Sequence, residues 1–333
     1  MSKVKGSLFG LAFGDALGAP TEFLSYEEIL RRYGPRGPHD LPPRATVTDD
    51  TQMALAVADA VLSAQEAPPF TAERLEPRLR GRFLQWWSSD ENDRAPGRTC
   101  MDACAAMADG KPWWQATVAE SKGCGANMRV APMGLAPTLT DDERAGSAQL
   151  QAALTHGHPT GLAASELTAL AVRWLLDGLP VAELPAALRA RCDTQRKLYR
   201  ADWLGDTLWR RPGIETPEDF IAQGWDECKQ ALTGLEDAAR HVGPDADPCT
   251  AAGAGWVAEE ALATAVFCLL LFPDAPVDAI ARAAASSGDS DSIASLTGTF
   301  AGAIHGEEAW PADWYSRIEY RPDLTRLATA WSS

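Results

Sequence analysis

Apolar residues recur with the helical period along most of this chain, and the alternation expected of a half-buried strand is scarce. Met53, Val57, Ala60 and Val61 form one stripe; Leu162, Leu167, Leu170, Ala171, Trp174 and Leu175 form a second; Leu262, Val266, Leu269 and Leu270 form a third. Alanine and leucine, both strong helix formers, enrich these runs. Prolines fall between them at Pro68-Pro69, Pro112, Pro132, Pro159, Pro180, Pro217, Pro244 and Pro276, cutting the chain into roughly a dozen or more helices of ordinary length. The pattern predicts an all-α bundle. The stretches Gly34–Pro43, Ala95–Arg98 and Val242–Gly255 are short and flanked by helical runs, so they read as loops, and residues 1–333 as a single domain. No repeat of solenoid length is present.

Charge and cysteine usage narrow the class. A net charge of -16 argues against a general nucleic-acid surface, because such binding draws on lysine and arginine neutralising phosphates. A local cradle of backbone amides can still hold a small anion whatever the global charge. Seven cysteines without a CxxC pair fit reduced, buried thiols of a cytoplasmic protein and disfavour zinc, although Cys100 and Cys104 share a helical face. The basic start Met1–Lys5 lacks the h-region and cleavage site of a signal peptide. The most apolar run, Ala261–Phe272, is too short to span a bilayer, so a buried helix, no membrane partner and a monomer are expected. Of the twelve tryptophans, most are expected in the core or anchoring loops, with one or two free to stack on a base.

Two acidic clusters carry the clearest chemistry. Thr48-Asp49-Asp50-Thr51 and Gly288-Asp289-Ser290-Asp291-Ser292 each run directly into an apolar helical stretch. Asp, Ser and Thr are favoured helix N-caps, and Asp49 with Gln52 fits a capping-box-like start, while Asp291 or Ser292 suits a cap for Ile293–Ile304. A cap needs one such residue, however, and each cluster places two carboxylates within one turn, where they repel unless neutralised. Carboxylates and hydroxyls are the ligands that hard divalent cations take.

Three further segments stand out. In Gly6–Phe23, small residues at 6, 10, 14 and 18 suit close helix packing, while Asp15 and Glu22 are costly to bury there unless paired or metal-bound. Ser121–Arg129 is a glycine-rich loop expected to run into a helix ending near Pro132, either a phosphate cradle or a plain turn. Thr155-His156-Gly157-His158-Pro159 puts two histidines at a helix junction, to orient a ribose or phosphate or to cap the preceding helix.

Taken in order, these pieces resemble the ADP-ribosylglycohydrolase family, which includes the dinitrogenase reductase-activating glycohydrolases. The resemblance rests on Gly10–Glu22, Thr48–Thr51, Ala95–Thr99, Gly123–Arg129, Thr155-His156, Trp256–Leu262 and Gly288–Ser292, and covers about residues 5–305. It implies a compact orthogonal helical bundle with two Mg²⁺ or Mn²⁺ ions at the mouth of an ADP-ribose cleft. It also implies metal ligands Thr48, Asp49, Asp50, Asp289, Asp291 and Ser292, and a Glu22 beside metals and substrate. Glu22 and Asp291 are the expected catalytic residues, and Ser121, Gly123, Gly125, Met128, Arg129, His156 and His158 the expected substrate-binding set. Ser292 departs from a frequent threonine and Ser287-Gly288 from a frequent Gly-Gly, but neither removes a carboxylate.

Cleaving a ribosyl bond builds positive charge on the anomeric carbon, so water activation and leaving-group protonation are both required. A divalent pair suits the positioning and activation of water, and Glu22 the acid–base work, taking or donating a proton. The expected activity is removal of ADP-ribose from a modified target, with ADP-ribosyl-arginine on protein first. Serine-linked ADP-ribose, O-acetyl-ADP-ribose and ADP-ribosylated nucleic acid are the other linkages. A helical enzyme acting on prenyl diphosphates fits less well, since Asp49-Asp50 is followed by Thr51-Gln52-Met53 without a third carboxylate. A non-catalytic ADP-ribose-binding relative should lack the carboxylates that are present here.

Overall fold

Ser2 starts the first helix, Lys3–Gly18, by accepting the amide of Lys5 at 3.1 Å. From Gly6 onward every residue of this helix is buried, so it runs through the interior instead of presenting one face to it. Its small residues at every fourth position decide its partner, the helix Ser290–His305. A Cβ on Gly10 would lie 2.2 Å from the carbonyl oxygen of Gly298, and one on Gly298 only 2.0 Å from that of Gly10. Backbone here touches backbone, and no side chain larger than hydrogen fits between. The same register sets Gly18 against Asp291, whose Cα would be 2.4 Å from an added Cβ. Packing thus delivers the end of the first helix to the second acidic cluster.

The computed structural model describes residues 2–332 and is all-α, as the hydrophobic pattern predicts. Among the described residues there are nineteen α-helices and only isolated β-bridges. Several of the helices are pieces of four or five residues, such as Trp113–Ala116 and Ala131–Leu135, too short to show a period. Ser290–His305 is central: Pro159–Leu176, Ala258–Leu271 and Pro276–Ala284 also pack on it. Asp49–Gln65 lies against Ala72–Trp87 and joins the same contiguous apolar core. Pro132 begins a helix, Ala131–Leu135, and does not end one; proline fits a first turn because its missing N–H would have no partner there.

The apolar run from Ala261 lies in the buried helix Ala258–Leu271, and no helix of the described residues is long and apolar enough to cross a membrane. All seven cysteines are free thiols and six are buried. Most tryptophans are core residues, including Trp225, Trp310 and Trp314, whereas Trp114 and Trp256 are exposed.

Candidate active site

The two acidic helix starts meet at the end of the first helix. Asp15, fully buried in that helix, accepts the amides of Thr48 at 3.0 Å and Thr51 at 3.1 Å and the hydroxyl of Thr51 at 2.5 Å. It therefore fixes the start of Asp49–Gln65. Thr48 is the N-cap, its hydroxyl accepting the Asp50 amide at 3.3 Å. The expected Asp49/Gln52 capping box is not formed. Gln52 instead donates to the Glu91 carbonyl and the Tyr320 hydroxyl and accepts from Trp86, while Asp49 accepts the Gly97 amide at 3.2 Å.

In the second cluster Asp289 occupies the N-cap position of Ser290–His305 without a side-chain capping bond. Asp291 and Ser292 lie inside the first turn, so neither is the expected cap, and the N-cap position falls on Asp289. Ser290 donates its hydroxyl to the Gly18 carbonyl at 3.0 Å and accepts from Thr21 at 3.1 Å. Thr21 also donates to the Ala284 carbonyl at 2.5 Å. These bonds hold the turn after the first helix, which places Glu22 beside the cluster. Carboxylate oxygens of Glu22, Asp289 and Asp291 lie within 4.8 Å of one another.

So many acids in one buried place perturb each other. Burial first, then the neighbouring charges of Asp291 and Asp49, push Glu22 up to about 9. Burial and Asp291 raise Asp15 to about 7, and burial with the same neighbour holds Asp49, Asp50 and Asp289 well above the usual carboxylate range. Burial raises Asp291 too. Asp50 keeps one buried carboxylate oxygen, Oδ2, without a hydrogen-bond partner among the described residues. An all-oxygen donor set, mutual repulsion and an unpartnered inward oxygen together fit a hard divalent cation.

The cluster forms the floor of a cleft of about 190 Å³. Its walls are Gly97–Cys100, Gly123, Cys124, Gly125, Met128, His156 and Trp256, with Glu22, Asp49, Asp50, Asp289, Asp291 and Ser292 below. The glycine loop is held from both sides: Cys124 N–H donates to the Trp256 carbonyl at 3.1 Å, and Ala258 N–H to that of Lys122 at 2.9 Å. Lys122 in turn pairs with Glu227 at 2.8 Å and with Glu259. Gly125 lies against Cys100 and His156, with an added Cβ only 3.0 Å from the Cys100 sulfur. His156 is buried; its Nδ1 and the Thr155 hydroxyl are 2.8 Å apart. Burial, then Arg129, push its pKa well below the ordinary histidine value, so the ring is neutral.

Three residues expected at the substrate lie elsewhere. Arg129 has no exposed surface and does not line the cleft; it donates to Gln151 Oε1 at 2.8 Å, the Gln151 carbonyl at 2.9 Å and the Thr155 hydroxyl at 2.7 Å, and stacks on Phe83. A cation placed for a diphosphate would need an open face, and this one is enclosed; it braces the Thr155–His156 pair from beneath. His158 caps the following helix, Pro159–Leu176, accepting the Thr160 amide at 3.3 Å, and not the preceding one. Ser121 sits behind the wall, its hydroxyl 2.9 Å from that of Thr99. Thr48 is also off the cleft surface, with its hydroxyl 3.5 Å from Asp50 Oδ1.

The cleft also contains residues to which the sequence assigned no role. Arg98, Thr99 and Cys100 follow the Ala95-Pro96-Gly97 turn, and Arg98 is the one cation on the wall among the described residues. Phe23, next to Glu22, is 72 % exposed and stacks on Trp256, itself 43 % exposed. The 95–99 segment carries a motif without an obvious chemical role, and nothing in the local pattern marks Phe23.

The fold and cleft define a class, and the comparisons agree. The family model for ADP-ribosylglycohydrolase matches residues 1–332, and this chain belongs to that family. It is similar to the ADP-ribosylarginine hydrolase Tri1 of Serratia proteamaculans, with 25 % identity over 98 % of this chain and 78 % of that one. It is also similar to ADP-ribosylhydrolase ARH3 of Xenopus tropicalis, with 30 % identity over 94 % of this chain and 90 % of the relative. Among solved structures, an ADP-ribosylglycohydrolase-related protein complex has a TM-score of 0.66 and 26 % identity, covering 99 % of this chain and 96 % of that one. The protein is a glycosidase that acts on ADP-ribosyl linkages.

Proposed function

We propose that this enzyme removes ADP-ribose from arginine side chains of proteins, cleaving the N-glycosidic bond with the help of two bound Mg²⁺ or Mn²⁺ ions. The observation that carries the reading is the convergence of Glu22, Asp49, Asp50, Asp289, Asp291 and Ser292 on one cleft floor. The arginine linkage is supported by the likeness to Tri1, named an ADP-ribosylarginine hydrolase.

Asp49, Asp50, Asp289 and Asp291 are the carboxylates placed to hold the ions, with the Ser292 hydroxyl beside them on the floor and the Thr48 hydroxyl behind, against Asp50. When bound, the ions would draw the ribose hydroxyls into place and lower the pKa of a water molecule. Glu22 stands beside them, and its burial, the first cause of its raised pKa, favours the protonated form that can hand a proton to the departing guanidine nitrogen. Gly123 and Gly125, lacking Cβ atoms, leave room for the neutral His156 ring to pack against the loop, and loop and ring together wall the part of the cleft that would take the diphosphate-ribose.

The test is release of ADP-ribose from a panel of arginine-linked and serine-linked ADP-ribosyl peptides and O-acetyl-ADP-ribose, each with magnesium, with manganese and after chelation. Arginine-linked substrate should turn over fastest and chelation should abolish turnover. Undiminished activity without divalent ions would defeat the metal assignment, and release from none of the substrates would defeat the function.

A further inference from the structure

We propose that Phe23 and Trp256 form an aromatic platform at the cleft mouth that stacks the guanidinium of the leaving arginine, making this pair a selector for the arginine linkage. This rests on the function proposed above and specifies how the enzyme recognises what hangs from the ribose.

Two rings lie here where soluble proteins seldom expose them. Phe23 is the most exposed large apolar side chain among the described residues, and Trp256 is among the few others. They are not scattered: their ring centroids are 5.6 Å apart with planes inclined by 19°. Phe23 adopts φ +65, a left-handed backbone conformation that a bulky residue takes only when its surroundings hold it there. The strained position directly follows Glu22, the proposed proton donor, and its ring lies on Trp256, which lines the cleft that holds Glu22. Trp256 lines the same cleft, and its carbonyl accepts the Cys124 amide, which ties the platform to the glycine loop.

The chemistry of the pair favours one kind of leaving group. Aromatic faces carry negative quadrupole charge and attract planar cations, arginine above all. A guanidinium is planar, weakly hydrated and delocalised, so it stacks at small cost in solvation. A serine hydroxyl or an acetyl group has neither the charge nor the plane. The chain's net charge of -16 adds long-range attraction for a cationic segment. The adenine base would also stack on such rings, but adenine is common to every substrate and gives no choice among linkages.

Phe23→Ala, Trp256→Ala and Trp256→Phe separate these cases. For each, kcat/KM is measured on an arginine-linked ADP-ribosyl peptide and on its serine-linked counterpart, and the Kd for free ADP-ribose is measured by calorimetry. The alanine variants should lose about three- to thirty-fold more on the arginine-linked peptide than on the serine-linked one, the range of a cation–aromatic contact. Trp256→Phe, which keeps a ring, should recover most of the loss. Equal losses on both peptides together with weaker ADP-ribose binding would assign the platform to adenine and overturn the proposal. Unchanged arginine-linked rates would overturn it as well. In both cases wild-type hydrolysis of the arginine-linked peptide leaves the function standing, whereas a wild type inactive on that peptide overturns function and platform together.

Discussion

Replacing Asp15 with alanine tests whether the acidic site depends on a residue outside it. The carboxylate accepts three buried donors, the amides of Thr48 and Thr51 and the hydroxyl of Thr51. The hydroxyl can turn to another acceptor, but the amides are fixed by the helix start, and each buried amide left unpaired costs about 1–3 kcal/mol. Asp15 is also raised to about 7 by burial and by Asp291, so its removal relieves some repulsion. The balance is a loss of about 2–4 kcal/mol. At about 1.5 °C per kcal/mol for a chain of this length, Tm should fall by roughly 3–6 °C. Because the same amides set the position of Asp49 and Asp50, the rise in Tm on adding magnesium should shrink in parallel. Differential scanning fluorimetry, with and without magnesium, reads both quantities. A variant with Tm within about 1 °C of wild type and an unchanged magnesium response would refute the positioning role.

Other perturbations bear on the same architecture. Asp50→Asn or Asp291→Asn should lower turnover by more than about a hundredfold while circular dichroism stays native, since a ligand charge is lost without a change of shape. Gly298→Ala places a Cβ 2.0 Å from the Gly10 carbonyl oxygen, a backbone atom that cannot swing aside, so chemical denaturation should show a loss of at least about 1–3 kcal/mol. In metal-free protein, Asp15 and Glu22 have folded-state pKa values above their unfolded ones, so the folded chain binds more protons between about 4 and 9. Its stability should therefore be greatest on the acidic side of that window and fall as pH rises through 7 and then 9; a metal-free Tm that climbs between pH 6 and 9 would contradict the acidic repulsion.

Helix content was legible because apolar residues follow a single period, and the glycine spacing at 6, 10, 14 and 18 announced close packing without naming the partner. That partner, Ser290–His305, carries its own small residues at Gly298 and Gly302, and the match between the two sets is visible only once the helices are aligned. The acidic clusters were legible as chemistry, since two carboxylates in one turn exceed what a cap requires. The cationic side chains were less so. Arg129 and His158 occur in a promising order, yet chain direction after the glycine loop sends Arg129 into the core and gives His158 to a helix start. Sequence order fixes neither which way a side chain points nor whether a polar group is consumed by its own backbone. Phe23 lay beyond any local pattern, because its role depends on a ring contributed 233 positions later.

The packing of Lys3–Gly18 on Ser290–His305 joins two segments separated by almost the whole chain. Native contacts of such long sequence separation form slowly, since a large loop must close before they are rewarded. During synthesis the first helix leaves the ribosome with its bare glycine face uncovered and waits for more than 270 further residues. Glu22 and Asp291 share one pocket only after that wait. The acidic centre therefore cannot exist on a nascent or truncated chain, and a ribosome-bound fragment ending before Ser290 would have no means of capturing the ions or of cutting a substrate ahead of time.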